Sequence, residues 1–349
     1  MGIDFESLKE ICRIPGAPGF ENNIRNHVAG ILEGAVDEQS TDSMGNLITI
    51  KRCGKPNAKK LMLAAHLDEI GFIVTHITDD GFLRFHPLGG FDPKTLTSQR
   101  VIVHGKKDLI GVMGSKPIHV MKPEERKKTV ELGDFYIDLG LSGEEVKKHV
   151  EIGDAVTRDR ELIRMGECLN GKSLDNRISV YILTEVMKRA KAIGVDVYGV
   201  FTVQEEVGIR GAQVATLAIQ PDFGIAIDTT IAFDLPGSAD HEKITELGKG
   251  TAIKIYDTSA ICDRRMIRFL KQTAEGNAIN WQTELLTGGG TDTAGIQRFK
   301  AGGSIAGAVS IPTRHIHQTI EMVHEKDVEA SIELLIHAIE GISEFNWEA

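Results

Sequence analysis

Residues 59–72 read KKLMLAAHLDEIGF. From Leu61 to Ala65 the run is apolar without a break, as in a strand buried on both faces of a mixed or parallel sheet. It stops at His66-Leu67-Asp68. In open α/β sheets, ligands bind outside the carboxyl ends of the strands, so polar residues at that boundary are candidates for chemistry. Residues two apart on a strand point the same way. The spacing therefore lets Asp68 hold one ring nitrogen of His66 and leave the other for a metal. Alone, the motif reads more readily as a satisfied surface histidine.

On either side of this stretch the texture differs. Upstream, Phe20, Ile24, Val28, Ile31 and Leu32 share one helical face and predict a helix over 21–34, followed by a short strand at Asn46–Ile50. Downstream of residue 68, short apolar runs (GFIVTHI, RVIVHG, DLIGVMG, DFYIDLG, DAVTRD) recur to about residue 160, separated by Gly, Asp and Lys turns. Within them only SGEEVKKHV reads as a helix, with Ser142 as N-cap. From residue 170 helices and buried strands alternate again. SLDNRISVYILTEVMKRAKAIG (173–194) and KDVEASIELLIHAIEGI (326–342) are amphipathic helices; VDVYGVFTVQEE, FGIAIDTT and SIAGAVSI are strands. The expected fold class is α/β: a mixed-sheet αβα domain, residues 1–68 and 164–349, interrupted by a small β-barrel or sandwich domain over 69–163.

Composition narrows the function classes. The 349 residues are 41% hydrophobic and 26% charged, a soluble globular profile with ample core. No run approaches the roughly 18 apolar residues that span a bilayer. The start, MGIDFESLKE, lacks the features of a signal peptide, and Glu6 breaks the myristoylation pattern. Cys12, Cys53, Cys168 and Cys262 form no metal or disulfide spacing, so a reducing cytoplasm is the expected compartment. A formal charge of −10 argues against a nucleic-acid partner.

Four further places put polar groups at strand or helix boundaries. Asp175 in NGKSLDNRIS also reads as a first-turn helix carboxylate. Glu205-Glu206 closes a buried strand, where paired carboxylates are costly unless neutralised. Asp228 ends FGIAIDTT, and His315 and His317 follow SIAGAVSIP in Arg314-His315-Ile316-His317. Imidazoles with carboxylates suit a hard-to-borderline divalent metal. Asp175, Glu205, Glu206 and Asp228 together carry four negative charges, which two divalent cations balance; such metal pairs hydrolyse peptides and phosphoesters.

Taken in order, GAPGFE (16–21), AAHLDEIGF (64–72), GKSLDNR (171–177), VQEEVGIRGA (203–212), AIDTT (226–230), GGGTDT (288–293) and SIPTRHIHQ (310–318) resemble the tetrahedral, TET-type metallo-aminopeptidases. These are glutamyl and deblocking aminopeptidases, some of which have carried the name endoglucanase. The resemblance runs from about residue 10 to 335. It implies an αβα metallopeptidase domain with two divalent ions, zinc or cobalt, that releases N-terminal residues from short peptides. Asp175 matches the aspartate bridging the ions, His66 and Asp228 the other ligands of one, and Glu206 and His317 those of the second. Glu205 matches the general base and Asp68 the residue orienting His66. The family usually carries Tyr where this chain has His315; position in the motif assigns the ligand to His317. Asp292 falls in a family motif without an assigned role, helix capping being its plain alternative. The resemblance also implies a homo-oligomer, a tetrahedral dodecamer built from dimers through the insert.

Other classes fit less well. A glycosidase needs no metals, and with only 5% aromatic residues its two tryptophans, Trp281 and Trp347, lie far from any carboxylate motif. A carboxypeptidase or deacylase would use the same metal pair but matches VQEEVGIRGA and RHIH less closely. A non-catalytic shell protein would be expected to have lost a ligand or the base.

Overall fold

The computed structural model describes residues 2–348. Strand Lys59–His66 lies inside an eleven-stranded mixed sheet, with Val195–Thr202 parallel on one side and Phe223–Ile231 parallel on the other. Ile305–Arg314 continues the parallel run beside Phe223–Ile231. The register sets His66 opposite Thr202 and Asp228 opposite Ser310, so the four carboxyl ends open on one edge. Antiparallel strands Leu47–Lys51 and Glu321–His324 flank this core.

The apolar run 61–65 is buried on both faces because the sheet is covered on both. Leu61, Leu63 and Ala65 pack in a core with Ile178, Ile182 and Val186 of helix Leu174–Arg189 and with Leu335 and Ile339 of helix Glu325–Gly341. Met62 and Ala64 point the other way, towards Ala215 and Ile219 of helix Arg210–Ile219 and Ile296 of helix Asp292–Arg298. This is the period-two alternation of a strand, with an apolar layer on each side.

Residues 71–158 hold a closed six-stranded antiparallel barrel, in the order Gly71–Ile77, Leu83–Leu88, Tyr136–Asp138, Asp108–Gly114, Arg100–His104, Ala155–Arg158. Phe72, Val101, Met113 and Ile137 fill it, and Phe72 stacks on Phe91 with ring centroids 4.2 Å apart. The expected helix is present as Gly143–His149, its N-cap Ser142 accepting from Glu145 N–H.

Three boundaries differ from expectation. The early helix spans Asn22–Ile31 only. The long helix stops at Arg189 rather than near 194, where Lys51 Nζ takes the carbonyl of Ala190 at 2.8 Å. At its start, Asp175 and Asn176 have non-helical torsions, so Asp175 is no ordinary first-turn carboxylate.

Candidate metal centre

Each candidate side chain is carried to the open edge of the sheet by the strand or turn before it. His66 is the last residue of its strand and is almost fully buried. Its Nε2 lies 3.4 Å from Asp175 Oδ1 and 3.6 Å from Asp228 Oδ1. On the other side of Asp175, Oδ2 lies 3.2 Å from His317 Nε2, which is 3.3 Å from Glu206 Oε1. The two oxygens of Asp175 thus face two different sets, His66 with Asp228 and Glu206 with His317. Within each set the candidate ligand atoms all lie within 4.8 Å of one another.

These separations exceed the 2.7–2.9 Å of charge-assisted hydrogen bonds. Four tetrahedral ligands about 2.1 Å from a zinc-like ion would stand about 3.4 Å apart, which is the spacing found here. Glu206 Oε1 is buried without a hydrogen-bond partner. Among the described residues, no lysine or arginine lies within ion-pair distance of Asp175, Glu205, Glu206 or Asp228; their charged neighbours are His66 and His317 alone. The residues present therefore fit divalent metal in both sets.

The electrostatics report the same crowding. Burial pushes the Glu205 carboxyl well above its ordinary range, and the charges of Asp228, Asp292 and Glu206 add to this against His66. Burial likewise raises Glu206 and Asp228. Burial alone would also raise Asp175, but His317 and His66, one against each of its oxygens, hold it below the carboxylate range. Although burial disfavours the charged imidazole, Glu206 and Asp175 push His317 up to about 11. Among the described residues, the cluster has no lysine or arginine at ion-pair distance.

Asp68 touches both His66 and the loop after the neighbouring strand Val195–Thr202. His66 Nδ1 meets the main-chain carbonyl of Asp68 at 3.0 Å, with its carboxylate farther off at 3.5 Å. The carboxylate also accepts the N–H groups of Glu205 and Glu206, at 3.1 and 3.0 Å. It thereby fixes the turn after Gln204, whose φ is 55° and whose N–H donates to Glu21 Oε1 at 3.0 Å. Asp292 is buried, accepts Thr202 Oγ1–H at 2.5 Å, and is pushed up to about 7 by burial first. It is the first residue of helix Asp292–Arg298.

His315 is exposed and belongs to neither ligand set, while His317 belongs to one. Arg314 turns away, paired with both oxygens of Asp234 at 2.7 and 2.6 Å. The barrel backs this loop: a Cβ at Gly90 would stand 3.2 Å from His317 Nδ1, so glycine allows the close approach.

Several supporting residues escaped the sequence reading. Glu69 is fully buried and takes Lys172 Nζ at 2.7 Å, and Ser173 donates to it as well. Arg177 donates to the carbonyls of Leu67, Ile11 and Ile14 at 2.7, 2.6 and 2.7 Å, clamping the chain after His66. Glu321 accepts the N–H of Asp175 at 2.9 Å. The signal was present in part, since Lys172, Asp175 and Arg177 share one motif with three charges, but their partners lie over a hundred residues away.

A mixed αβα sheet that gathers histidines and carboxylates at its strand ends, with a barrel inserted after the first histidine, defines a metal-dependent peptidase. The chain belongs to the M42 glutamyl aminopeptidase family, whose pattern matches residues 45–334, and it is an aminopeptidase. It is 33% identical to the lysyl aminopeptidase of Pyrococcus furiosus, over 95% of each chain. It is 30% identical to the glutamyl aminopeptidase of Lactococcus lactis subsp. cremoris, over 90% of each. Among solved structures, an aminopeptidase from the archaeon Desulfurococcus kamchatkensis superposes with a TM-score of 0.91 at 38% identity, covering 96% of this chain and 94% of that one. The Pyrococcus horikoshii TET1 peptidase, described as assembling into a tetrahedron or a large octahedral shell, superposes at 0.85 with 34% identity, covering 95% and 98%.

Proposed function

We propose that the chain removes N-terminal residues from short peptides with two divalent ions, zinc or cobalt, and with Glu205 as general base. The observation that carries this reading is Asp175, whose two oxygens face two separate ligand sets. His66, Asp175 and Asp228 would hold one ion; Asp175, Glu206 and His317 the other. When bound, such ions polarise the scissile carbonyl and acidify water. Glu205, 4.0 Å from His66 Nε2 and largely buried, takes the proton of the attacking water and delivers it to the leaving amine. Burial raises its carboxyl, which brings its basicity towards the working range of a general base. Asp68 keeps Glu205 and Glu206 in register by holding both amides.

The unit at 69–163 serves as the subunit-pairing insert, and the oligomer is a tetrahedral dodecamer enclosing the sites in the cytoplasm. Exposed Ile110, Val112, Ile118 and Val120 within that unit support an apolar contact. The test is chelation: metal-stripped protein should lose hydrolysis of aminoacyl anilides and regain it with cobalt or zinc as two ions per chain rebind. Full activity without metal, confirmed by elemental analysis, would refute the mechanism.

A further inference from the structure

The cavity that contains the ligand sets continues beyond them, with a volume of about 460 Å³. Its aliphatic lining is Ile209, Ile231, Leu286 and Ile316, all half-buried, together with Gly288–Gly290. These four aliphatic side chains come from four separate segments: the turn before a helix, the end of strand Phe223–Ile231, the residue after strand Trp281–Leu285, and the loop carrying His317. Their convergence on one space is not a by-product of one amphipathic element.

Among the described residues, Lys254 is the one lysine or arginine lining the cavity, and it is already committed. Its Nζ lies 2.8 Å from Glu284 and 3.2 Å from Asp257, and all three side chains are fully buried. Asp257 is further held by the N–H groups of Ser259 and Ala260, each at 2.8 Å, and Glu284 by Thr230 Oγ1 at 2.7 Å. Two carboxylates to one ammonium leave this corner net negative. An acidic substrate side chain would find no free cation there and would be repelled. A basic one would be drawn weakly, but Glu284 does not line the cavity, so reaching it means displacing Lys254.

On the aminopeptidase reading given above, we propose that this wall selects peptides whose N-terminal side chain is uncharged and aliphatic, tolerates basic ones less well, and rejects acidic ones. The order leucyl, lysyl, glutamyl departs from the acidic preference named in the family's description. A size mismatch alone is worth about 10–200-fold; a basic side chain drawn weakly to the net-negative corner is penalised at the low end of that range, and an acidic one, unpaired and repelled, at the high end or beyond.

The experiment measures kcat/KM of the metal-loaded full chain on leucyl, methionyl, lysyl and glutamyl p-nitroanilides. Leucyl or methionyl should exceed lysyl by about tenfold and glutamyl by about a hundredfold or more. A glutamyl or lysyl rate equal to or above leucyl overturns the specificity while leaving the aminopeptidase reading intact. Hydrolysis of none of the four overturns both. Two variants locate the effect. Leu286→Glu should raise the lysyl-to-leucyl ratio and Leu286→Lys the glutamyl-to-leucyl ratio, each by about tenfold. Ratios within one variant are insensitive to a partly folded sample. If both stay at the wild-type value, this wall does not contact the side chain and the proposal fails.

Discussion

Replacing Arg158 by Met tests how the barrel supports the metal centre. Arg158 ends strand Ala155–Arg158 and is almost fully buried. Its Nη1 donates to the carbonyl of Gln318, next to His317, and lies 3.6 Å from Glu321 Oε1. Glu321 is fully buried, and its other oxygen accepts the N–H of Asp175 at 2.9 Å. One guanidinium therefore steadies two candidate ligands, His317 through its loop and Asp175 through Glu321. Breaking a buried ion pair costs about 3–5 kcal/mol; at 3.6 Å and without a hydrogen bond this pair belongs at or below the lower end. The lost bond to Gln318 adds about 1.5–3 kcal/mol, so Arg158→Met should destabilise by about 3–5 kcal/mol in all. Binding at the Glu206–His317 set should weaken about 10–100-fold, as when a partner outside the ligand shell is removed. Denaturant unfolding reads the first and titration against a competing chelator the second. Glu321→Gln keeps an acceptor for Asp175 N–H without the charge, so in that background Arg158→Met should cost about 2 kcal/mol less. Unchanged stability and metal affinity in Arg158→Met, or strict additivity with Glu321→Gln, would refute this account.

Glu205→Gln should retain both metals while turnover falls about 10²–10⁴-fold or more; metal retention in Glu206→Gln with metal loss in Glu205→Gln would reverse the assignment of the pair. His317→Ala should empty one metal site, whereas His315→Ala should leave both filled, as elemental analysis can show. Glu69 gives an acid-sensitivity prediction. Burial alone would raise its carboxyl, but Lys172, Arg177 and Arg158 bring it from 4.5 down to about 2. Because the folded value is the lower one, the stabilisation is in place above pH 4.5 and is lost as pH falls towards 2. Wild type should lose on the order of 3 kcal/mol across that window compared with Glu69→Gln, read by unfolding at each pH; parallel pH profiles would contradict it. In solution, light scattering coupled to size exclusion should find an oligomer with no active monomer at micromolar concentration; a dimer would refute the dodecamer and keep the pairing role of the insert.

The sequence disclosed residues whose placement depends on strand direction alone. His66 and Asp228 each end an apolar run, Glu205 and Glu206 follow shortly after the buried strand Val195–Thr202, and parallel strands deliver such residues to a common edge. The barrel was legible from its short alternating runs. What stayed hidden depended on backbone paths and distant pairings. Asp68 lies beside His66 as its spacing implied, but that its carboxylate also holds the amides of Glu205 and Glu206 was not legible. Only the left-handed turn at Gln204 brings those amides there. Lys254 gave no signal of its own in the sequence; it is fully buried beside Glu284, its register partner on the neighbouring strand.

Burial of charge by itself does not mark the functional site in this chain. Glu69 is matched by Lys172 and Arg177, Glu321 faces Arg158, and Asp257 and Glu284 share Lys254. Each of these sets contains a permanent cation supplied by the chain. The set of Asp175, Glu205, Glu206 and Asp228 does not; two imidazoles stand against four carboxylates. Several buried acids without a permanent counter-charge are unstable unless protons or a ligand neutralise them. Among the described residues, a cluster of four buried acids with no lysine or arginine at ion-pair distance, set in a cavity, suits cations from solution. The deficit is a property of the assembled set, since each of the four acids taken alone has a plain structural reading.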